Sequence, residues 1–173
     1  RDLFKEDVSK IVVDSKKLHR EIKATLEENS PGFVKRLDLY TGNQPLFDVF
    51  NIERQLESSL NKKVWIKGAG YIIIETTEAM TVIDVNSGKD AKSSNQEVNS
   101  RNTNIEAGKE IVRQLRLRDI GGIIVIDFID LYEEKSRRKL YDELRKEFRK
   151  DRAKSTILPM SEFGLVQITR QRI

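Results

Sequence analysis

The chain has 173 residues, of which 38% are hydrophobic and 35% are charged, and its formal net charge of +4 permits a nucleic acid as partner. It contains no cysteine, which excludes disulfides and thiolate metal sites. No apolar stretch approaches the roughly 18–20 residues of a membrane span and no signal peptide is visible, so we expect a cytoplasmic protein, of which this chain, starting at Arg1, is a piece.

The first third of the sequence shows strand and helix periodicities separated by turn residues. The predicted elements are a strand at 8–14, a helix at 15–28, loops at 29–32 and 42–45, and a second helix after Asn51. The first helix is predicted because Leu18, Ile22 and Leu26 recur at a spacing of four. The pattern changes after residue 60, where we place a boundary.

The remainder alternates strands and helices. The predicted elements are strands at 64–67, 71–77 and 80–85, a polar loop at 89–100, a helix at 102–117, a strand at 123–128, a helix at 133–151, and strands at 155–158 and 164–169. The strand at 123–128 has consecutive apolar residues, so we expect it to be central and covered on both faces. This order predicts a layered α/β (α+β) fold.

Two of the predicted strands deliver a carboxylate at or near their ends. Asp84 lies in TVIDVNSG, residues 81–88, and Asp127 lies in GIIVIDFID, residues 122–130. A carboxylate at the end of a buried strand is costly unless it is paired, hydrogen-bonded or metal-bound. If the strands are neighbours, the side chains can converge, and hard oxygen ligands favour Mg²⁺ or Mn²⁺ over zinc. Such an ion can support phosphodiester cleavage.

A structural explanation of the same residues stays open at this point. Asp84 and Asn86 can belong to a plain turn, in which their side chains bond to local backbone N–H groups. Asp127 can pair with an arginine of the following helix. In the metal interpretation, the Asn86 amide donates to Asp84 or to a phosphate oxygen. Asp130 is interpreted as a loop or helix-cap residue first and as a ligand second.

Four stretches carry a resemblance to a known family. They are KGAGYIIIETTEAMTVIDVNSG at 67–88, NTNIEA at 102–107, RQLRLRDIGGIIVIDFID at 113–130 and FGLVQITRQR at 163–172. Together, in this order, they resemble the catalytic region of the RNase E/RNase G family of bacterial endoribonucleases. The likeness is strong from about residue 46 to the end.

The resemblance implies a magnesium-dependent endoribonuclease that cuts single-stranded RNA in rRNA and mRNA processing and decay, and leaves a 5′-phosphate. It makes Asp84 and Asp127 the Mg²⁺ ligands, with Mn²⁺ as a substitute, and gives Asn86 the positioning of Asp84 and the scissile phosphate. It also implies the remainder of an RNase H-like subdomain at 1–60 and a DNase I-like catalytic subdomain at 61–173.

The same resemblance implies parts that this sequence does not include. An S1 domain and a 5′-monophosphate sensor are expected before Arg1, and a zinc link through paired cysteines, which joins subunits of a homo-oligomer, is expected after Ile173. Glu162 stands where the family often has arginine before the FGL residues. We expect the fragment to hold the metal site but to cut RNA weakly or not at all.

Basic and aromatic side chains are further candidates for RNA contact. The basic candidates are Lys89, Arg137, Arg138, Arg170 and Arg172. For the helical arginines the alternative is a solvated face paired with acidic residues, and for Arg170 and Arg172 it is anchoring of Asp127. Trp65 and Tyr71 can stack on bases, although aromatic residues in strands are usually core residues.

Two other functions are compatible with these patterns. The first is a non-catalytic module for RNA binding or assembly, in which both aspartates are structural. The second is a metal-dependent DNase, suggested by the implied subdomain.

Overall fold

The computed structural model describes residues 8–68, 70–88 and 96–173. Two compact units divide the chain between Glu57 and Ser58. The elements of the first unit are β1 (Ile11–Val13), α1 (Lys16–Asn29), a 3-10 helix (Pro31–Arg36), β2 (Leu37–Leu39) and α2 (Leu46–Val49), and α3 (Ile52–Ser59) begins in it. The elements of the second unit are β3 (Lys63–Ile66), β4 (Gly70–Thr76), β5 (Met80–Ser87), α4 (Gln96–Leu117), β6 (Gly122–Asp127), α5 (Glu134–Phe148), β7 (Ser155–Ile157) and β8 (Leu165–Arg170).

The first unit is a small two-stranded parallel sheet with one long helix. Strands β1 and β2 pair in parallel, with Ile11 opposite Leu37. The backbone N–H of Leu18 donates to the Ser15 side chain, which caps α1 as expected of serine at this position. Leu26 of α1 packs against Val13 and Leu37, and these three residues form the buried centre of the unit.

The second unit is built on a six-stranded mixed sheet with the order β3-β4-β5-β6-β8-β7. Only β5 and β6 pair in parallel, and the other neighbours are antiparallel. Because a parallel pair needs a crossover connection, the long helix α4 lies between β5 and β6 in sequence. The unit is therefore a mixed α and β fold, as the element order predicted.

Helices α4 and α5 cover one face of this sheet. Alternate strand residues such as Ile72, Ile83 and Ile126 are fully buried in one cluster with Ile111 of α4 and Leu144 of α5. The opposite face carries the remaining residues of each strand, and in the described part of the chain it is exposed. Ile123, for example, is 49% exposed. The prediction that β6 is covered on both faces was therefore wrong: a parallel neighbour on one side only does not require a second helical layer.

Element ends differ from the sequence prediction at two places. Strand β5 continues through Asn86 to Ser87, because it pairs along its whole length with β4. Helix α4 begins at Gln96, so the last five residues of the predicted polar loop at 89–100 are helical. Among the described helices, none combines the length and the apolar composition of a membrane span.

Candidate catalytic site

The two predicted metal ligands lie side by side on the open face of the sheet. Asp84 of β5 is the register partner of Asp127 of β6 in the parallel ladder. Neighbouring strands lie about 4.8 Å apart, so the backbones of these two residues are that close. Both side chains alternate with buried residues, Ile83 and Val85 around Asp84 and Ile126 before Asp127. The carboxylates therefore project from the same face, as a shared cation requires.

Asn86 lies on the same face as Asp84, two residues further along β5. Its Nδ2 donates a hydrogen bond of 2.7 Å to Oδ2 of Asp84, which is one of the two contacts predicted for this amide. Asp84 and Asn86 are strand residues paired with β4, so the interpretation of this stretch as a plain turn was wrong. The amide fixes one carboxylate oxygen of Asp84.

Among the described residues, the charges that act on Asp127 are those of other carboxylates. Partial desolvation raises the pKa of Asp127, and the neighbouring charges of Asp84 and Asp130 raise it further. Within the described residues, Asp127 has no hydrogen bond or ion pair from a side chain, so the predicted alternative of an arginine partner is not present there. A divalent cation would relieve the repulsion between the carboxylates of Asp84 and Asp127. The two carboxylates therefore suit such an ion as ligands.

Within the described residues, the possible ligand set consists of these two carboxylates. Asp130 follows β6 in an irregular segment, as predicted, and is exposed. Across residues 8–68, 70–88 and 96–173, no group of three histidine, aspartate or glutamate side chains is arranged to hold a metal. Two carboxylates suit Mg²⁺, which keeps several waters and substrate oxygens in its coordination sphere.

The loop after Asp127 is held by residues whose role the sequence analysis missed. Asn104, fully buried in α4, donates from Nδ2 to the Ile129 carbonyl at 2.7 Å and accepts from the Ile129 N–H at 3.0 Å. Glu97, in the first turn of the same helix, accepts from the backbone N–H groups of Tyr132 and Glu133. The signal was a polar residue in line with the buried Ile111 on a helix face.

The other side of the site depends on a close approach of two backbones. Gly70, which begins β4, pairs with Ser87 and has a φ of +134°. A Cβ at this position would lie 2.0 Å from the Asn86 carbonyl oxygen and 2.8 Å from the Gly88 nitrogen. Glycine is therefore required here for the end of β5 to pass alongside β4.

Arg170, predicted to contact RNA, is a structural residue of the interior. Its side chain is 1% exposed and is held by Asp151, with Nε 2.7 Å from Oδ2, and by Asp119, with Nη1 3.1 Å from Oδ1. Nη1 also donates to the Ile120 carbonyl. The prediction of RNA contact was wrong for Arg170 because the guanidinium is buried among its partners. The alternative of anchoring Asp127 was also wrong, because Arg170 pairs with Gly122 at the opposite end of β6.

The remaining basic candidates differ in what the structure says of them. Arg172 is exposed and follows Arg170, which pairs with Gly122 at the first residue of β6. Asp127 lies at the other end of β6, about 16 Å from Gly122 by strand rise. Arg137 is half-buried and donates from Nε to the Leu131 carbonyl at 2.7 Å, while Arg138 is exposed. Lys89 lies outside the described residues. Contact of Arg137, Arg138 and Arg172 with RNA stays a prediction.

Strand statistics favoured a core position for the aromatic residues of β3 and β4, but the structure does not place them in the core. Trp65 is 70% exposed and Tyr71 is half-buried, both on the open face. Trp65 pairs with Tyr71 across the ladder, and Tyr71 pairs with Asn86. The expectation that these rings are core was wrong for Trp65, because its strand is covered on one face only.

Known proteins resemble the chain along its whole length. A sequence model described as the Ribonuclease E/G family matches residues 1–173. Ribonuclease G of Escherichia coli K12 is 42% identical over 172 residues, which are 99% of this chain and 35% of that protein. Ribonuclease E of the same organism is 43% identical over 176 residues, covering 100% of this chain and 16% of that protein.

A relative from a second organism gives the same result. Ribonuclease E of Haemophilus influenzae is 41% identical over 173 residues, covering 100% of this chain and 18% of that protein. The chain thus spans about a third of the Ribonuclease G relatives and less than a fifth of the Ribonuclease E relatives. On these matches across its whole length, the chain belongs to the Ribonuclease E/G family.

Proposed function

We propose that this chain carries the catalytic centre of an endoribonuclease that hydrolyses single-stranded RNA with the help of Mg²⁺, for which Mn²⁺ can substitute. The single observation that carries the proposal is the parallel register of Asp84 and Asp127 on an exposed sheet face. Family membership supports the choice of reaction, and the names of the relatives, Ribonuclease E and Ribonuclease G, support RNA as substrate.

In the proposed reaction, each residue has a defined part. Asp84 and Asp127 would hold the metal ion, and Asn86 keeps Asp84 oriented through its 2.7 Å hydrogen bond. Bound Mg²⁺ supplies stabilisation of the negative charge that builds up on the phosphate. Water adds to phosphorus and the P–O3′ bond breaks, which leaves a 3′-hydroxyl on one product and a 5′-phosphate on the other.

The finer parts of the proposal concern the whole protein. We include in it a DNase I-like identity for residues 61–173, an RNase H-like remainder at 1–60, homo-oligomerisation through a zinc link, a role in RNA processing and decay, and a cytoplasmic location. The support for these parts is the family resemblance of the four motifs and the similarity to proteins much longer than this chain.

Metal titration tests the proposal on the chain itself. Calorimetric titration with Mn²⁺ should give saturable binding that Asp84→Asn and Asp127→Asn each weaken by at least about 10-fold. Glu143→Gln is the matched control, because Glu143 lies on α5, on the helical side of the sheet, and pairs with Lys146. Equal binding by the wild type and both aspartate variants would refute the metal site and favour the non-catalytic RNA-binding or assembly module.

Substrate and product are tested separately. Single-stranded RNA and DNA of the same sequence are incubated with the chain and Mg²⁺, and the products are analysed for 5′-phosphate by ligation. Cleavage of RNA alone, slow in this fragment and abolished by Asp127→Asn, is the expected result. Cleavage of DNA at a similar rate would instead support the metal-dependent DNase.

A further inference from the structure

An exposed aromatic cluster lies on the same sheet face as the carboxylate pair. The rings of Trp65 and Tyr71 are 5.4 Å apart at an angle of 65°, in an edge-to-face arrangement. The ammonium group of Lys63 lies 4.3 Å from the Trp65 ring centre and 3.7 Å from the Tyr71 ring centre. These contacts pack the two rings and the lysine against one another although Trp65 is 70% exposed, so the cluster is a platform that presents an aromatic surface to solvent.

The strand register fixes where the platform lies relative to the candidate metal ligands. Trp65, Tyr71 and Asn86 are consecutive partners across β3, β4 and β5. The adjacent row on the same face contains Ile73, Asp84 and Asp127. With about 4.8 Å between strands and 3.4 Å per residue, the Tyr71 backbone is about 8 Å from that of Asp84, and the Trp65 backbone is about 12 Å away.

The chemistry of the cluster matches a nucleotide. Proteins that bind single strands combine aromatic surfaces, on which bases stack, with positive charges that contact the backbone. Trp65 and Tyr71 supply the first feature, and Lys63 supplies the second. Interfaces with other proteins are enriched in Trp and Tyr but depleted in Lys, so the lysine between the rings favours a nucleic acid over a protein.

We propose that Trp65 and Tyr71, with Lys63, form a subsite that stacks the base of a nucleotide next to the scissile phosphate. This inference rests on the proposed function, because it takes single-stranded RNA as the substrate at Asp84 and Asp127. The subsite would hold the strand across β3, β4 and β5 and so place the phosphate over the carboxylate pair.

The chain carries its own reporter for this test. Trp65 is the single tryptophan in the sequence, so tryptophan emission reports on this position alone. The 173-residue chain is titrated with a short single-stranded RNA in EDTA, where no divalent ion is available for cleavage. We expect saturable quenching of Trp65 emission, at the same RNA concentrations at which anisotropy of a labelled RNA shows binding.

Variants then separate stacking from general attraction. Trp65→Ala should weaken binding of the labelled RNA by about 5- to 150-fold, the range for loss of a stacked base, and Trp65→Phe should restore most of it. Lys63→Gln should make the negative slope of log affinity against log salt shallower by about 0.7. Ile123→Ala is the control, since Ile123 is an exposed apolar residue at the other end of the same face and should leave RNA affinity unchanged.

The outcomes distinguish the subsite from the metal site. RNA binding without quenching, no RNA binding, or Trp65→Ala binding as tightly as the wild type would overturn the subsite. If the cluster were instead a surface for protein, Trp65 emission would not change when RNA is added but would change with chain concentration. That result would also overturn the subsite. Mn²⁺ titration of Trp65→Ala should match the wild type, so loss of the metal site in the aspartate variants and loss of stacking are measured independently.

Discussion

Arg170 shows at the scale of single residues how burial decides a role. The alternation of Arg170 and Arg172 at the end of β8 suggests two equivalent basic side chains. In the structure the first is buried against Asp151 and Asp119, and the second is exposed. Burial alone would raise the pKa of Asp151, but hydrogen bonds from Arg170 and from the Ala153 N–H outweigh it and lower the pKa. The pair therefore stabilises the fold through the ionised carboxylate.

Asp151→Asn should lower the free energy of unfolding by about 3 kcal/mol at pH 7, because a buried guanidinium loses its charged partner. Since the folded pKa of Asp151 lies below its ordinary value of 3.8, the ion pair contributes fully above that value. The contribution is lost as pH falls through the folded pKa, so the wild type and the variant should converge in acid. Urea unfolding at pH 7 and in steps below pH 4 measures this.

Glu75→Gln serves as the control for that measurement. Glu75 pairs with Lys62 at 3.2 Å, but both side chains are more than half exposed, so its replacement should cost less than about 1 kcal/mol. A difference between wild type and Asp151→Asn that stays constant down to the lowest pH would contradict the ion-pair explanation.

Gly70 gives a second prediction at this scale. Gly70→Ala adds a Cβ 2.0 Å from the Asn86 carbonyl oxygen and forces an alanine into a φ of +134°. We expect a lower melting temperature and Mn²⁺ binding about 10-fold weaker, because Asn86 orients Asp84. Gly32→Ala is the matched control, since nothing lies within 4 Å of its added Cβ. Unchanged metal affinity in Gly70→Ala would show that the approach of β4 to β5 does not position the site.

At the scale of elements, helix α4 does more than connect two parallel strands. In its N-terminal half, Glu97 and Asn104 bond to the loop after β6. In its C-terminal half, Ile111 and Leu115 pack into the core. Partial burial acts to raise the pKa of Glu97, but hydrogen bonds that include the Tyr132 and Glu133 N–H groups lower it, so its carboxylate stays ionised as an acceptor. The helix thereby sets the path of the chain immediately after Asp127.

Asn104→Ala should destabilise the protein by about 1–3 kcal/mol, because the Ile129 N–H and carbonyl would lose their partner inside the fold. The loop should also open more often. Hydrogen exchange at the Ile129 amide measures the opening, and urea unfolding measures the stability. Gln44→Ala, at an exposed loop position of the first unit, should change neither quantity. Slow exchange at Ile129 in Asn104→Ala would contradict a clamping role for this side chain.

At the scale of the whole molecule, each of the two units has a buried cluster of its own. Leu26 with Val13 and Leu37 forms one, and the cluster on the six-stranded sheet lies entirely within Ser58–Ile173. A unit with its own core can in principle fold alone. Asp84, Asn86 and Asp127 all belong to the second unit, so the candidate site does not need residues from the first for its carboxylate pair.

A chain of residues 58–173 should therefore fold on its own and bind Mn²⁺ with an affinity within about threefold of the 173-residue chain. Circular dichroism with urea titration measures cooperative unfolding, and calorimetry measures metal binding. Asp127→Asn in the shorter chain is the control for site-specific binding. A shorter chain without a cooperative transition would show that the first unit is needed for stability.

The sequence by itself determined much of the local structure and the chemistry of the site. Periodicity placed α1, α5 and the strand pair β4–β5 to within a few residues, because side-chain spacing reflects which face is buried. The motif around Asp84 and Asp127 identified the family that the comparisons then showed. The functions of Asp84, Asp127 and Asn86 stay predictions that rest on those residues.

Only the tertiary structure decided which faces are covered and which strands are neighbours. The register of Asp84 with Asp127, the exposure of Trp65 and the burial of Arg170 all depend on residues distant in sequence. A strand pattern shows that alternate residues differ, but it does not show whether a second layer lies over the sheet. These features required the folded arrangement because burial and pairing are properties of the packed chain and not of any short segment of it.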